Sequence, residues 1–411
     1  MDGRAGLPSG FGRLAWSNLA AQSAEQIALA AAPIVAVLAL GAGAGATGLL
    51  QTAQTLPFLI LAVPAGVLAD RVSRRRLMAG AEALRALALA AVLALTHAGL
   101  LTVPMLALFG FVGACGTVVY SVTAPALVPA LVPALVPADA LADANGRIEL
   151  ARTVAFAGGP ALAGALVGWM GGGAAFGVAA ALSTSAVVLL ARLQEPARRR
   201  VGSRRVLDDL RDGVTFVFGH PLLRPVFLTQ LVFNAAFFVL QAVYVPYAVH
   251  RLGLSAVGVG ATLATYGVGM VLGALLAPGI IRRLPFGLVI VLGPVAGVAA
   301  ALVMVLTIWV PAGWLAAVSF FLIGTGPIVW VISTATLRQT VTPPDLLGRA
   351  AAIGMTATGA RPIGSALGAF LGAVYGAEAC LIVAALGFVL QAALIVASPV
   401  LTLERQPQMV E

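Results

Sequence analysis

Twelve stretches of this chain are apolar for long enough to cross a lipid bilayer, and its charges sit almost entirely in every second gap between them. A spanning helix needs roughly 20 apolar residues. Such runs lie near 14–40, 47–68, 77–97, 102–124, 147–169, 173–193, 223–249, 257–281, 286–309, 313–336, 347–373 and 377–399. They are continuous runs of Ala, Leu, Val and Gly without the two-residue alternation of a membrane β-barrel, so an all-α membrane protein is expected. With 61% of its 411 residues hydrophobic and 9% charged, the chain has lipid as its solvent.

All 24 basic residues are arginines. Arg71, Arg74, Arg75 and Arg76 fill the second gap, and Arg192, Arg198, Arg199, Arg200, Arg204, Arg205 and Arg211 lie in or beside the sixth. Arg251 alone falls in an odd gap. The positive-inside rule then places the even gaps and both termini in the cytoplasm. A net charge of +9 spread along a membrane face without interleaved aromatics does not predict a nucleic-acid partner. Arg4 and Arg13 precede a run of about 25 residues with eleven more spans after it, which reads as a retained first helix, not a signal peptide. Cys115 and Cys380 fall inside spans, and His97, His220 and His250 lie at helix ends or in the central linker. No metal site or cofactor is expected from them.

The sixth gap, about 194–222, is the one long polar stretch, and it divides the chain into residues 1–193 and 223–411. Within it, Arg204 to Phe218 mixes charges with Val206, Leu210, Val214, Phe216 and Val217, the composition of an amphipathic helix at the cytoplasmic surface. Pro137-Ala-Asp139-Ala-Leu141 before the fifth span returns as Pro343-Pro-Asp345-Leu-Leu347 before the eleventh, with Gly164 and Gly168 answering Gly368 and Gly372. Two parallel repeats, forming two pseudo-symmetric bundles of six helices, follow from that offset. The Ala-Leu-Val-Pro triplet from Ala126 to Pro137 reads as a local duplication without a function of its own.

Between the second and third spans stands Gly66-Val-Leu68-Ala-Asp70-Arg71-Val-Ser73-Arg74-Arg75-Arg76. It resembles the cytoplasmic signature of the major facilitator superfamily, Gly-x-Leu-x-Asp-Arg-x-Gly-Arg-Arg, with Ser73 in place of the second glycine. The resemblance implies twelve helices of the major facilitator fold and a conformational latch built from Gly66, Asp70, Arg71, Arg74 and Arg75. In that latch Asp70 docks at the start of the eleventh helix, where a carboxylate meets the positive end of the helix dipole. The matching stretch of the second half, Ala277 to Arg283, lacks the acid. Leu337-Arg338-Gln339, Pro343 to Arg349, Gly359-Ala-Arg361-Pro362-Ile-Gly364 and Pro221-Leu-Leu223-Arg224 are similar to the branch of macrolide-efflux and siderophore-exporting proteins, the drug:proton antiporter family 3, and imply export.

Gly159-Pro160-Ala-Leu-Ala163-Gly164 in the fifth span is a partial antiporter signature, with Ala163 replacing a glycine. Proline removes a helix hydrogen bond and small neighbours allow close packing, so a bend at Gly159, Pro160 and Gly164 is expected. The fourth span carries no arginine, which leaves the family's usual fourth-helix proton relay without its base.

Glu25 stands near mid-bilayer in the first span. A charge at that depth costs about 2.5–3.5 kcal/mol on insertion scales and marks a functional residue. Asn18, Gln22, Glu25 and Leu29 share a face within about 60°, with Gln26 beside them. Burial favours the protonated acid and an arginine or incoming cation the ionised one, as a proton-coupling site requires. In the seventh span Gln230, Asn234, Phe237, Gln241 and Tyr244 lie within about 80° of one another, amides and aromatics that suit an amphipathic organic ligand. The resemblance implies that the first, fourth, seventh and tenth helices surround a central cavity, to which Tyr120 and Trp330 add aromatic surface. Arg361, at a depth like that of Glu25, pairs with it, attracts an anionic substrate group or joins the halves structurally. Glu82 with Arg85 and Glu149 with Arg152 are read as local i, i+3 pairs near cytoplasmic helix ends.

The expected protein is a multi-pass transporter of the bacterial inner membrane, a monomer without cofactor and not an enzyme, that exports hydrophobic or amphipathic small molecules in exchange for protons. A nutrient importer or lysolipid flippase of the same fold stays open, as does a non-transporting scaffold. With no lysine, the chain has no phosphate-binding loop for ATP-driven transport.

Overall fold

A computed structural model of the protein describes residues 9–131, 139–193, 206–343 and 346–407. Every regular element among them is helical: α1 (Ser9–Leu38), α2 (Ala44–Ile60), α3 (Ala62–Arg71), α4 (Arg74–His97), α5 (Val103–Leu131), α6 (Asp139–Met170), α7 (Gly172–Ala191), α8 (Val206–Gly219), α9 (Leu223–His250), α10 (Ala256–Arg283), α11 (Phe286–Leu306), α12 (Gly313–Val341), α13 (Leu347–Thr356), α14 (Ala360–Val374) and α15 (Ala377–Val396).

Ten of these are long and apolar enough to cross a membrane: α1, α4, α5, α6, α7, α9, α10, α11, α12 and α15. The two other expected spans are broken, and a proline lies just after each break. Pro64 leaves the Ile60 carbonyl without its helical donor, and the helix is interrupted at Leu61 between α2 and α3. Pro362 does the same to Thr358, and a 3₁₀ turn over Ala357–Gly359 separates α13 from α14. Several helices outrun their apolar stretches: α5 continues to Leu131, α6 begins at Asp139 and α12 ends at Val341. Hydropathy marks the apolar stretch, whereas the backbone ladder runs on past it. Trp16, Trp169, Trp309 and Trp314 are exposed close to helix ends, the positions of an interfacial aromatic belt.

The chain divides into two compact units, residues 1–41 with 53–201 and residues 42–52 with 202–411. In the first, α4 packs on α5 and α7, and α1 on α6 and α7. In the second, α12 packs on α10 and α11, and α9 on α14 and α15. Small residues set these approaches, as lipid-immersed helices require. A Cβ at Gly269 would collide with the Phe321 carbonyl, one at Gly324 with that of Tyr266, and one at Gly364 with that of Ala235. The first turns of α2 group with the second unit, because Gly48 lets them lie on the Ala369 backbone of α14.

The expected amphipathic helix is α8. Its apolar side meets α13: Val217 joins Leu223, Ala350 and Ile353 in one buried cluster, and Asp212 accepts a 3.0 Å hydrogen bond from Arg349 Nη1. The arginines of 194–205 and the acid of the second repeat, Asp345, lie outside the described residues.

Candidate functional site

Ser73, the departure from the motif's glycine, caps α4 by accepting the Arg76 N–H at 3.3 Å. From that start, Met78, Glu82, Arg85, Leu89 and Val92 recur at helical spacing and are all buried. The stripe is apolar except at its centre. There Glu82 Oε1 accepts from Arg85 Nη1 at 2.7 Å, and Glu82 Oε2 accepts from Ser183 Oγ of α7 at 3.1 Å. Arg85 also donates to the Ala21 carbonyl of α1 at 3.1 Å and to Thr117 Oγ1 of α5 at 2.7 Å. Glu25 reaches the same guanidinium from α1, with Oε2 3.8 Å from Nη2.

Two acids therefore share one base inside the first unit. The side chain of Glu82 is 0% exposed and that of Arg85 4%, whereas Glu25 keeps 16%. Tyr120, buried in the cluster of Phe11, Leu14, Ala21 and Met78, lies within electrostatic reach of all three charges. With every group ionised the cluster carries one surplus negative charge, which a low-dielectric interior penalises unless a proton is taken up. Gly159 of α6 sits directly against Gln26, so the antiporter-like segment packs one residue along from Glu25.

The second unit holds a different arrangement. Pro362 and the 3₁₀ turn place Arg361 as the second residue of α14, and Gly364 brings that helix against Ala235 of α9. Arg361 Nε then donates to Asn234 Oδ1 at 3.1 Å, and its Cζ lies 5.4 Å from the centroid of the Phe238 ring. Asn234 in turn donates to the Gln230 carbonyl at 2.8 Å. Phe237 stacks on Phe233 and on Tyr266, both at 5.8 Å between centroids, so an aromatic wall adjoins the guanidinium. One cation, amides and aromatics can hold an anionic or polar group beside an apolar ring.

Residues 12–410 match the family described as transmembrane secretion effectors. The chain belongs to that family, within the major facilitator superfamily. Solved structures place its fold among transporters. A peptide transporter of the POT type superposes with a TM-score of 0.76 at 13% identity, covering 98% of this chain and 97% of its own. The D-xylose–proton symporter gives 0.74 at 14% identity over 94% and 97%, and the nucleoside transporter NupG 0.72 at 14% over 95% and 99%. No curated protein sequence matches the chain. It is thus a multi-pass membrane transporter for a small-molecule substrate.

Asn18 and Gln26 of this transporter are buried, and Gln22 and Gln241 are half-buried. Two of the expected aromatics are set in helix packing. Tyr244 is 0% exposed with its hydroxyl on Thr262 and its ring edge-on to Phe320, and Trp330 is 7% exposed against α11 at Gly293.

Glu82 and Arg85 are the residues that sequence reasoning undervalued. Read as a local pair near a helix end, they form the buried centre of a four-helix network. The recurrence with Met78, Leu89 and Val92 was the available signal. Glu149 and Arg152 do pair locally, at 3.4 Å with both side chains exposed. In the latch segment, Arg75 donates to the Ala191 and Leu193 carbonyls at 3.0 and 2.9 Å, a cation closing the end of α7. The side chains of Asp70 and Arg71 fall outside the described ones.

Proposed function

We propose that this transporter exports hydrophobic or amphipathic small molecules in exchange for protons, with Glu25 as the proton-coupling residue. The observation that carries the reading is the position of Glu25, a mid-helix carboxylate with 16% of its side chain exposed and a guanidinium 3.8 Å away. Such a group alternates between a protonated state favoured by desolvation and an ionised state favoured by the arginine. Residues 1–193 form the bundle that carries the proton and 223–411 the bundle that offers Asn234, Phe237 and Arg361 to the substrate, with 194–222 as linker. The two exchange between inward and outward access, and the latch at Gly66, Asp70, Arg71, Arg74 and Arg75 holds one of these states. One proton entering down a potential supplies about 2.3 kcal/mol per 100 mV.

The family description, secretion, supports export. Nutrient import is the second reading, supported by the likeness to a D-xylose–proton symporter. The arginine-rich even gaps support an inner-membrane orientation with both termini in the cytoplasm, and the chain works as a monomer in this reading.

Efflux of a dye and macrolide panel, measured from cells with and without a protonophore, tests the proposal. Uncoupler-sensitive efflux lost in Glu25→Gln at equal expression is the expected result. Substrate-stimulated proton entry with accumulation in place of efflux would replace export by import, and normal efflux by Glu25→Gln would remove Glu25 from coupling.

A further inference from the structure

Two acids face Arg85, and they face it unequally. Glu82 is fully enclosed, holds Nη1 at 2.7 Å and has a second donor in Ser183. Glu25 stands 3.8 Å from Nη2, a nitrogen that spends one of its two N–H groups on Thr117 at 2.7 Å. The guanidinium is therefore neutralised by Glu82 before Glu25 is considered. A carboxylate beside a matched ion pair gains far less from the cation than one that owns it.

We infer that Glu82 is the positioning residue of the coupling site: by occupying Arg85 it leaves Glu25 able to bind and release a proton during transport. This rests on the reading of Glu25 as the proton-coupling residue. Arg85, on α4, takes the part for which the fourth span offers no arginine. Removing the Glu82 charge acts twice in one direction. It frees Arg85 to pair with Glu25, and it withdraws a negative charge from the neighbourhood, so Glu25 stays ionised to lower pH. Of the elements packed against α1, α7 contributes the neutral Ser183 and α5 Thr117 and Tyr120. On α6, Glu149 and Arg152 pair with each other at the exposed surface, while the side chains of Asp139, Asp143 and Arg147 fall outside the described ones.

Infrared difference spectroscopy of the full chain in lipid, following the carboxylic-acid C=O band against pH, tests this without knowledge of the substrate. The wild type is expected to show a titrating component that Glu25→Gln removes. In Glu82→Gln that component should move to lower pH, by a tenfold or greater loss of proton affinity, and Glu82→Asp should restore most of it. A merely structural Glu82 would leave the midpoint where it was. If Glu82→Gln does not fold, Thr117→Val decides, because it releases Nη2 toward Glu25 without touching either acid. A smaller shift in the same direction supports the inference, and an unmoved midpoint overturns it. An unmoved midpoint whose component still vanishes in Glu25→Gln refutes the role of Glu82 alone; a component that survives Glu25→Gln refutes the coupling reading and this inference with it.

Discussion

The two units solve the problem of a charge inside a membrane protein in opposite ways. In the first, Arg85 meets two carboxylates, one hydroxyl and a carbonyl, and Ser183 closes the network on the far side of Glu82. In the second, Arg361 is held by a neutral amide and lies over an aromatic face, half-buried. A network of full charges changes state by moving a proton. A cation beside amides and rings changes state by gaining or losing a partner. The same division follows from the proposed roles, proton handling in one unit and substrate contact in the other.

The contrast breaks most visibly at Arg85. Arg85→Gln leaves the buried Glu82 and the partly exposed Glu25 without a base, and removing one partner of a buried ion pair costs about 3–5 kcal/mol. Folded yield and melting temperature in detergent should both fall sharply. The double variant Glu82→Gln with Arg85→Gln should recover most of the loss, since the remaining acid can take a proton. Equal damage from the single and double variants would mean that packing, not charge, holds this part of α4.

Next in size is an indirect test of the second unit. Gly364→Val would drive a side chain into the Ala235 backbone. Overpacking of this kind costs about 1–3 kcal/mol. It should separate α14 from α9 and so remove Arg361 from Asn234 without altering either residue. Thermal stability measures the first effect, and loss of stabilisation by added panel compounds the second. Gly80→Val, at a position with nothing within 4 Å of an added Cβ, should do neither.

Much of the architecture was legible because hydropathy reports the solvent directly, and lipid leaves the backbone few alternatives to a helix. What it missed has local causes. A window that averages apolarity does not register that Pro64 and Pro362 each remove a ladder bond, so two spans were drawn whole. Depth alone singled out Glu25. Placing Glu82 and Arg85 required knowing which neighbours cover the inner face of α4, and those neighbours, Ala21, Thr117 and Ser183, come from three other helices. Likewise, a helical wheel put Tyr244 and Asn234 on one face, yet α10 and α12 cover the tyrosine while Arg361 reaches the asparagine from 127 residues away.

Arg361→Gln sharpens the contrast at lower cost. The lost charge-assisted bond to Asn234 amounts to about 1.5 kcal/mol, reduced by the residue's partial exposure, so the melting temperature should move little. Efflux of anionic members of a substrate panel should fall more than that of neutral ones. Arg361→Lys should not restore it, since an ammonium lacks the planar fork that holds an amide while lying over a ring. Uniform efflux across charge classes would take Arg361 out of substrate contact.

The smallest effect belongs to His220, in the turn between α8 and α9 and outside the spans. Its ring lies 5.7 Å from that of Phe216, and Nδ1 accepts the Leu222 N–H at 3.2 Å, which requires the neutral imidazole. Burial lowers its proton affinity below the ordinary histidine value. The unfolded chain takes up this proton near pH 6.5, while the folded chain resists it to lower pH. The unfolded state then binds more protons in that window, so stability is full above about pH 6.5 and declines as pH falls toward the depressed folded value. His220→Gln should flatten this slope slightly in melting temperatures measured from pH 8 to 5. It should leave the pH profile of transport unmoved, because the proposed proton site is confined to the first unit. A shift of the transport profile in His220→Gln would carry proton handling into the second unit and dissolve the division of labour.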